Sequence, residues 1–189
     1  HRILVWNSIP TSNQQIADYV LGQANFTGQS SGSATTNLYN PARVSCTTGK
    51  VAVLDAANGR VLIWNTPITA NAQVPNVVVT QTGTAIAGIY QGGVSIANAK
   101  LAIADPWNNR VLLHNAIPTS NTTTADLVLG QTDFTATSGT TITRPQSAYY
   151  DGTKLWVTAL NAAGTSSVLY QWNSWPTSNN ASPDLTITG

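Results

Sequence analysis

Two charged constellations recur at a fixed spacing and are the first candidates for chemistry. Each consists of an Asp, an Asn and an Arg: Asp55, Asn58 and Arg60 in one, and Asp105, Asn108 and Arg110 in the other. Two carboxylates on one face of a repeat protein could support acid–base chemistry. The alternative is a turn clamp, in which carboxylate and guanidinium share charge-assisted hydrogen bonds. Because the pattern repeats and a catalytic group is needed only once, we predict structural turn clamps and no catalytic residue.

The other reactive side chains do not form a recognisable site. His1 and His114 are far apart in sequence and have no acidic cluster beside them, so no metal site is predicted. No Gly-x-Ser-x-Gly motif, Ser/His/Asp arrangement or cofactor motif is present. Cys46, the only cysteine, lies among apolar neighbours in a predicted strand, and we expect it to be buried rather than reactive.

Two tryptophans interrupt an otherwise regular repeat. Trp107 stands in a turn where Ala57 stands one repeat earlier, and Trp175 replaces Ile9 and Ile117 in a loop. Tryptophans in loops can stack on sugars or anchor a protein partner. The competing interpretation is a local cap over a sheet edge. Trp107 and Trp175 are therefore kept as possible ligand or partner contacts.

Composition excludes some partners. The chain has eight Lys and Arg and seven Asp and Glu residues among 189, with a net charge of +1. Such a chain has no electrostatic footprint for nucleic acid, and none is predicted as a partner. No apolar run is long enough to cross a bilayer, so no membrane span is predicted. The low charge and the Thr, Asn and Ser content favour an extracellular, periplasmic or cell-surface location.

These residues are placed by a unit that occurs four times. Its central Asn is Asn7, Asn65, Asn115 or Asn173, and in every copy 16 positions separate this Asn from the last residue of the unit. The segments around it are short, β-branched or aromatic, and bounded by turn residues, so they predict strands. Two further strands precede each of the last three copies. Each full unit is therefore predicted to be a four-stranded antiparallel meander of blade size.

The predicted architecture is an all-β propeller with an incomplete ring. We predict blades at 41–81, 92–131 and 145–189, and a half blade of third and fourth strands at 1–23. Strands such as 61–64 are apolar on both faces, as expected for a sheet sandwiched between two others. Because closed propellers contain about four to eight blades, we expect the terminal blades to be covered by other polypeptide. This partner would be further blades of a parent chain or another copy.

Two segments resemble the NHL repeat. They are Ala104-Asp105-Pro106-Trp107-Asn108-Asn109-Arg110-Val111-Leu112-Leu113 and Leu54-Asp55-Ala56-Ala57-Asn58-Gly59-Arg60-Val61-Leu62-Ile63. The resemblance implies a β-propeller of the kind found in bacterial secreted or surface proteins. Known members include protein- and RNA-binding modules and a few metal-dependent lyases and hydrolases, so the resemblance implies fold more than function. The last blade departs from the pattern, since Ala159 replaces the Asp and Val168 the Arg.

The sequence thus favours a non-catalytic structural or protein-interaction propeller segment of an exported or cell-surface protein. Two alternatives remain open. One is part of a propeller enzyme whose active residues lie outside this chain, and the other is a carbohydrate-binding propeller that uses the loop tryptophans.

Overall fold

The computed structural model describes residues 1–87, 91–138 and 141–189, and in these parts the chain is all-β. The strands form one two-stranded and three four-stranded antiparallel sheets. The two-stranded sheet contains β1 (Ile3–Val5) and β2 (Tyr19–Leu21). The second sheet contains β3 (Pro41–Thr47), β4 (Lys50–Asp55), β5 (Arg60–Asn65) and β6 (Val77–Val79). The third contains β7 (Gly93–Ala97), β8 (Lys100–Asp105), β9 (Arg110–His114) and β10 (Leu127–Leu129). The fourth contains β11 (Thr143–Tyr150), β12 (Leu155–Leu160), β13 (Ser167–Trp172) and β14 (Leu185–Thr188).

Each four-stranded sheet is a meander in sequence order, as the repeat predicts. Between the second and third strands, two of the sheets carry a 3-10 turn, at Ala56–Asn58 and Pro106–Asn108. Each turn ends in a left-handed residue, Gly59 with φ 61° and Asn109 with φ 50°. Gly and Asn adopt this conformation at lowest cost, which explains their use here. The turns bring Asp55 opposite Arg60, and Asp105 opposite Arg110, in the strand register.

The sheets pack face to face through apolar side chains. Val61, Ile63 and Val79 of the second sheet share one fully buried cluster with Ile103 and Leu112 of the third. The opposite face of the third sheet packs on the fourth through a second cluster, which includes Leu113, Leu129 and Leu155. Both faces of the third sheet are therefore buried. This burial explains why its strands show no alternation of polar and apolar residues.

The first strands of neighbouring sheets lie side by side. Ser45 Oγ accepts a hydrogen bond of 3.0 Å from the Ile96 amide, and Ser95 Oγ accepts one of 2.9 Å from the Tyr150 amide. β3 contacts β7, and β7 contacts β11. Sheets that meet along their first strands are blades around a common axis, so the architecture is an incomplete β-propeller.

The meander sorts all connections onto two opposite ends of the blades. The turns between second and third strands lie at the same end as the connectors that lead to the next first strand, and we call this end the connector face. The turns after first strands and the loops after third strands lie at the other end, which we call the loop face. Because consecutive antiparallel strands reverse direction, Trp107 lies on the connector face and Trp175 on the loop face.

The expectation that Cys46 is buried is wrong. Its side chain is exposed in β3, and Val44 on the same strand is half exposed. The physical reason is that the preceding sheet contains only two strands, β1 and β2. A groove of about 620 Å³ therefore remains between β1 and the first strands of the second sheet, and Cys46 lines it. In the described parts of the chain, no helix is long and apolar enough to cross a membrane.

Candidate functional site

The first turn clamp is a closed polar cluster at the connector face. Arg60 Nε donates to Asp55 Oδ2 at 2.8 Å, and Asn58 Nδ2 donates to the same oxygen at 2.8 Å. The other carboxylate oxygen, Asp55 Oδ1, accepts the Tyr39 amide at 2.7 Å. The remaining donors of Arg60 and Asn58 reach backbone carbonyls of the preceding connector, at Gly32, Ser33, Ala34 and Asn37.

The second clamp repeats this arrangement. Arg110 Nε donates to Asp105 Oδ2 at 2.7 Å, Asn108 Nδ2 donates to both carboxylate oxygens, and Asp105 Oδ1 accepts the Ala87 amide. The Arg110 guanidinium also donates to two carbonyls that belong to different connectors, Thr84 before the blade and Phe134 after it. The first clamp therefore ties its turn to the preceding connector, and the second ties its turn to the connectors on both sides.

Burial of these groups is nearly complete. The side chains of Asp105 and Arg110 are both 0% exposed. Removal from water raises the pKa of Asp105, and the opposing effects of Arg110, Asn108 and the Ala87 amide are smaller. Each carboxylate oxygen accepts at least one internal hydrogen bond, and both Asp side chains are shielded from solvent, so a substrate or metal has no open path to them. The geometry of both constellations is that of an internal clamp.

A second set of polar residues, whose role the sequence did not reveal, closes the loops after the third strands. The central asparagine of each unit, at or just after the end of the third strand, donates its amide to a side-chain oxygen eleven residues later, at 2.6–2.7 Å. The acceptors are Asp18, Asn76, Asp126 and Asp184. The constant spacing of the unit could have indicated this hydrogen bond. The acceptor position was not recognised because one copy has Asn76 where the other three have Asp.

The tryptophans at or next to the ends of the third strands also hold these loops. Trp6, Trp64 and Trp172 each donate Nε1 to the carbonyl nine residues later, at 3.1, 2.7 and 3.1 Å. His114 occupies the same position in the third sheet and is buried, as expected for a packed strand residue. Its Nε2 has no hydrogen-bond partner among the described residues. Burial lowers the pKa of His114, and the nearby Asp126 carboxylate partly opposes this effect.

Trp107 and Trp175 lie in very different surroundings. Trp175 is only 9% exposed, donates Nε1 to Asn115 Oδ1 at 2.7 Å, and packs edge-on against Tyr150. It caps the edge between the third and fourth sheets, as in the alternative interpretation, so little of its surface is open to a ligand. The loop at this position packs onto the preceding blade, and a larger side chain fills that contact. Trp107, by contrast, is 66% exposed.

The exposed Trp107 borders an open groove on the connector face. The groove has a volume of about 410 Å³, and its described lining residues are Gln91, Pro106, Trp107, Asn109 and Arg144. Asn109 fixes its wall, because its Oδ1 accepts the Arg144 amide at 2.9 Å and its Nδ2 donates to the Thr137 carbonyl. Among the described residues the ion pairs are Arg60–Asp55 and Arg110–Asp105, so Arg144 has no carboxylate partner there. Sequence reasoning missed Gln91, which lies in a connector, and Arg144, which lies at the start of β11, because neither belongs to the repeated motif.

Within residues 1–87, 91–138 and 141–189, no three His, Cys, Asp or Glu side chains are grouped so as to hold a metal ion. No protein-family model and no curated protein matches the sequence. One similar solved structure is the hydrazine synthase of Kuenenia stuttgartiensis, with 10% identity and a TM-score of 0.35. The alignment covers 74% of this chain and 47% of that protein, so the chain spans about half its length. At this TM-score we draw nothing from the likeness, and the fold assignment depends on the sheets themselves.

Proposed function

We propose that this chain is a non-catalytic scaffold segment of an exported or cell-surface propeller of the NHL-repeat type. The observation that carries the proposal is the closure of the two clamps. Every oxygen of Asp55 and Asp105 accepts at least one internal hydrogen bond, and both Arg side chains donate to carboxylate and connector backbone. The Asp-x-x-Asn-x-Arg pattern, which resembles the NHL repeat, thus has a structural use in this chain.

The rival function is part of a metal-dependent lyase or hydrolase propeller whose active residues lie outside this chain. The variant of this idea that the chain itself can test is that a clamp carboxylate binds the metal. If a clamp carboxylate were a metal ligand, binding of the metal to the folded state would raise the thermal midpoint. We expect Ca²⁺, Mg²⁺, Mn²⁺ and Zn²⁺ to leave the midpoint of the wild-type chain unchanged. The measurement is differential scanning calorimetry with and without each ion, on the wild type, Asp105→Asn and the exposed control Asp133→Asn. A metal-dependent rise that Asp105→Asn alone abolishes would favour the enzyme.

A second candidate function follows from the groove beside Trp107. An exposed indole face offers a stacking surface for a sugar ring, and the guanidinium of Arg144 suits a carboxylate. A volume of about 410 Å³ is within the usual size of small-molecule sites. We therefore propose that, if the propeller binds a carbohydrate, the ligand is an acidic saccharide and the site is this groove. Trp175 has no part in it, because it lies on the loop face.

Isothermal titration with a uronic-acid oligosaccharide and its neutral counterpart tests this candidate. We expect the acidic sugar alone to bind, Trp107→Ala to abolish binding, and Arg144→Ala to remove the preference for the acidic sugar. Arg43→Ala is the matched control, since Arg43 is an exposed arginine elsewhere on the chain. Equal binding of both sugars, or of neither, would rule out the acidic-saccharide site.

A further inference from the structure

Neighbouring blades are joined by a hydrogen-bonded contact that recurs three times. In each case the Oδ1 atom of a loop asparagine accepts the outward amide of the preceding blade's fourth strand. The pairs are Asn71 with Val20 at 3.0 Å, Asn121 with Val78 at 2.8 Å, and Asn179 with Val128 at 3.1 Å. The residue after each asparagine donates its own amide to the carbonyl of the same strand residue, at 2.7–3.2 Å. We call this two-bond contact the inter-blade latch.

The first sheet carries one half of a latch that no described residue completes. Asn13 and Gln14 occupy the loop positions of Asn71 and Ala72. Gln14 has the same left-handed backbone, with φ 60° against 49° at Ala72 and 50° at Asn180. Asn13 Oδ1 accepts no hydrogen bond from the described residues. Ile9, at the position where Trp175 packs onto the preceding blade, is 88% exposed.

The fourth sheet carries the other half. Thr186 of β14 pairs with Tyr170 in the same register in which Val78 pairs with Leu62 and Val128 with Leu112. Its amide and carbonyl therefore point away from β13, as those of Val78 and Val128 point away from β5 and β9. In the described parts of the chain, no loop asparagine reaches them. Ile187 beside it is 51% exposed, whereas its counterparts Val79 and Leu129 are fully buried.

The open face of the fourth sheet differs from the other blade contacts along its first and second strands, which lie nearest the common axis and are called the inner strands here. On the face that packs against the following blade, the inner strands of the second sheet present Ser45 opposite Ala52. The inner strands of the third sheet present Ser95 opposite Ala102 in the same way. The fourth sheet presents Tyr149 opposite Trp156, and Tyr149 is 60% exposed. These bulky rings fill the space that the inner strands of a following blade would need.

Along the outer strands, the same open face keeps its aliphatic character. Leu169, Leu185 and Ile187 stand where Val61, Val77 and Val79 stand in the second sheet, although Gln171 replaces Ile63. The open face of the fourth sheet thus suits the third and fourth strands of another blade. Within the described residues, the sheet formed by β1 and β2 presents strands of this kind.

We propose that the open face of the fourth sheet binds the β1–β2 sheet of a second copy of this chain. Asn13 of one copy would accept the Thr186 amide of the other, Gln14 would donate to the Thr186 carbonyl, and Ile9 would pack over the loop-face edge. Such a contact joins two different surfaces head to tail. The inference rests on the proposed scaffold function and specifies the partner of its terminal blades.

Sedimentation equilibrium of the purified chain and of four variants tests the contact. Asn13→Ala removes the acceptor, Ile9→Asp charges the exposed apolar residue, and Thr186→Pro removes an amide that the sheet does not use. Ser12→Ala is the control in the same exposed loop. We expect self-association of the wild type, weakened at least about tenfold in the first three variants and unchanged in the control. Circular dichroism and thermal melting confirm that each variant is folded.

A mixing experiment makes the test specific. The Asn13→Ala chain keeps an intact Thr186, and the Thr186→Pro chain keeps an intact Asn13. An equimolar mixture can therefore form one intact contact, and we expect it to associate more tightly than either variant alone. A folded, monomeric wild type contradicts the proposal, and so does association or aggregation that neither variant reduces. Association insensitive to these variants would leave the scaffold function intact and place its contact elsewhere.

Discussion

At the scale of single residues, Arg110 shows how a functional-looking motif can be structural. Its guanidinium and the Asp105 carboxylate are both removed from solvent. A buried ion pair adds little net stability over an apolar pair, because the desolvation cost offsets the attraction. Removing one partner is different, since the other charge stays buried without compensation.

We therefore expect Arg110→Ala to lower the free energy of unfolding by about 3–5 kcal/mol. The substitution strands the Asp105 carboxylate and also releases the connector carbonyls of Thr84 and Phe134. Urea unfolding measures the change, with the exposed Arg43→Ala as the control, expected to shift by less than about 0.5 kcal/mol. A loss at Arg110 no greater than that of the control would refute the clamp.

The buried His114 makes stability depend on pH. Because burial lowers its pKa below the ordinary value of 6.5, the unfolded chain binds the proton more readily than the folded chain. The contribution of His114 to stability is therefore fully present above pH 6.5 and is lost as the pH falls through the lower pKa of the folded state. We expect His114→Phe to make the free energy of unfolding depend less on pH between about pH 8 and pH 5. An unchanged slope would show that His114 does not titrate with unfolding.

At the scale of elements, the loops after the third strands are held by one repeated bond. Asp126 accepts the Asn115 amide at 2.6 Å, and Asn76 accepts the Asn65 amide in the same way at 2.7 Å. We expect Asp126→Ala to cost about 1 kcal/mol in urea unfolding. Asp126→Asn is the matched variant, because Asn76 accepts the same bond in the second sheet. We expect this variant to leave the free energy of unfolding nearly unchanged. Equal losses in the two variants would mean that the carboxylate charge, rather than the hydrogen bond, holds the loop.

The strands and their order could be predicted because the repeat makes periodicity, turn residues and blade size agree. The latch asparagines could not be recognised, since Asn71 and Asn121 lie in loops rich in Thr and Asn and their partners are 51 and 43 residues away. The exposure of Cys46 was also unpredictable from its own strand, because it depends on what the neighbouring sheet lacks. Likewise, Trp175 is buried by Tyr150 and Asn115, which only the packing of adjacent blades brings to it.

At the scale of the whole molecule, the two terminal sheets each leave a face with exposed apolar side chains. The third sheet buries both faces, whereas Leu4 in the first sheet and Leu185 and Ile187 in the fourth stay exposed. If each open face covered about 400 Å², leaving it bare would forgo on the order of 10 kcal/mol at about 25 cal/mol per Å². That is comparable with the whole net stability of a typical domain. Coverage of these faces by other polypeptide is therefore expected to decide whether the blades persist.

The mass of residues 1–189 in solution, measured by light scattering together with binding of a hydrophobic dye, tests this scaffold role most directly. We predict a folded assembly heavier than the 19.9 kDa of one chain, with dye binding that decreases as association increases. A well-folded monomer of 19.9 kDa that binds no dye would contradict it, because the faces left open would then be stable in water without a partner.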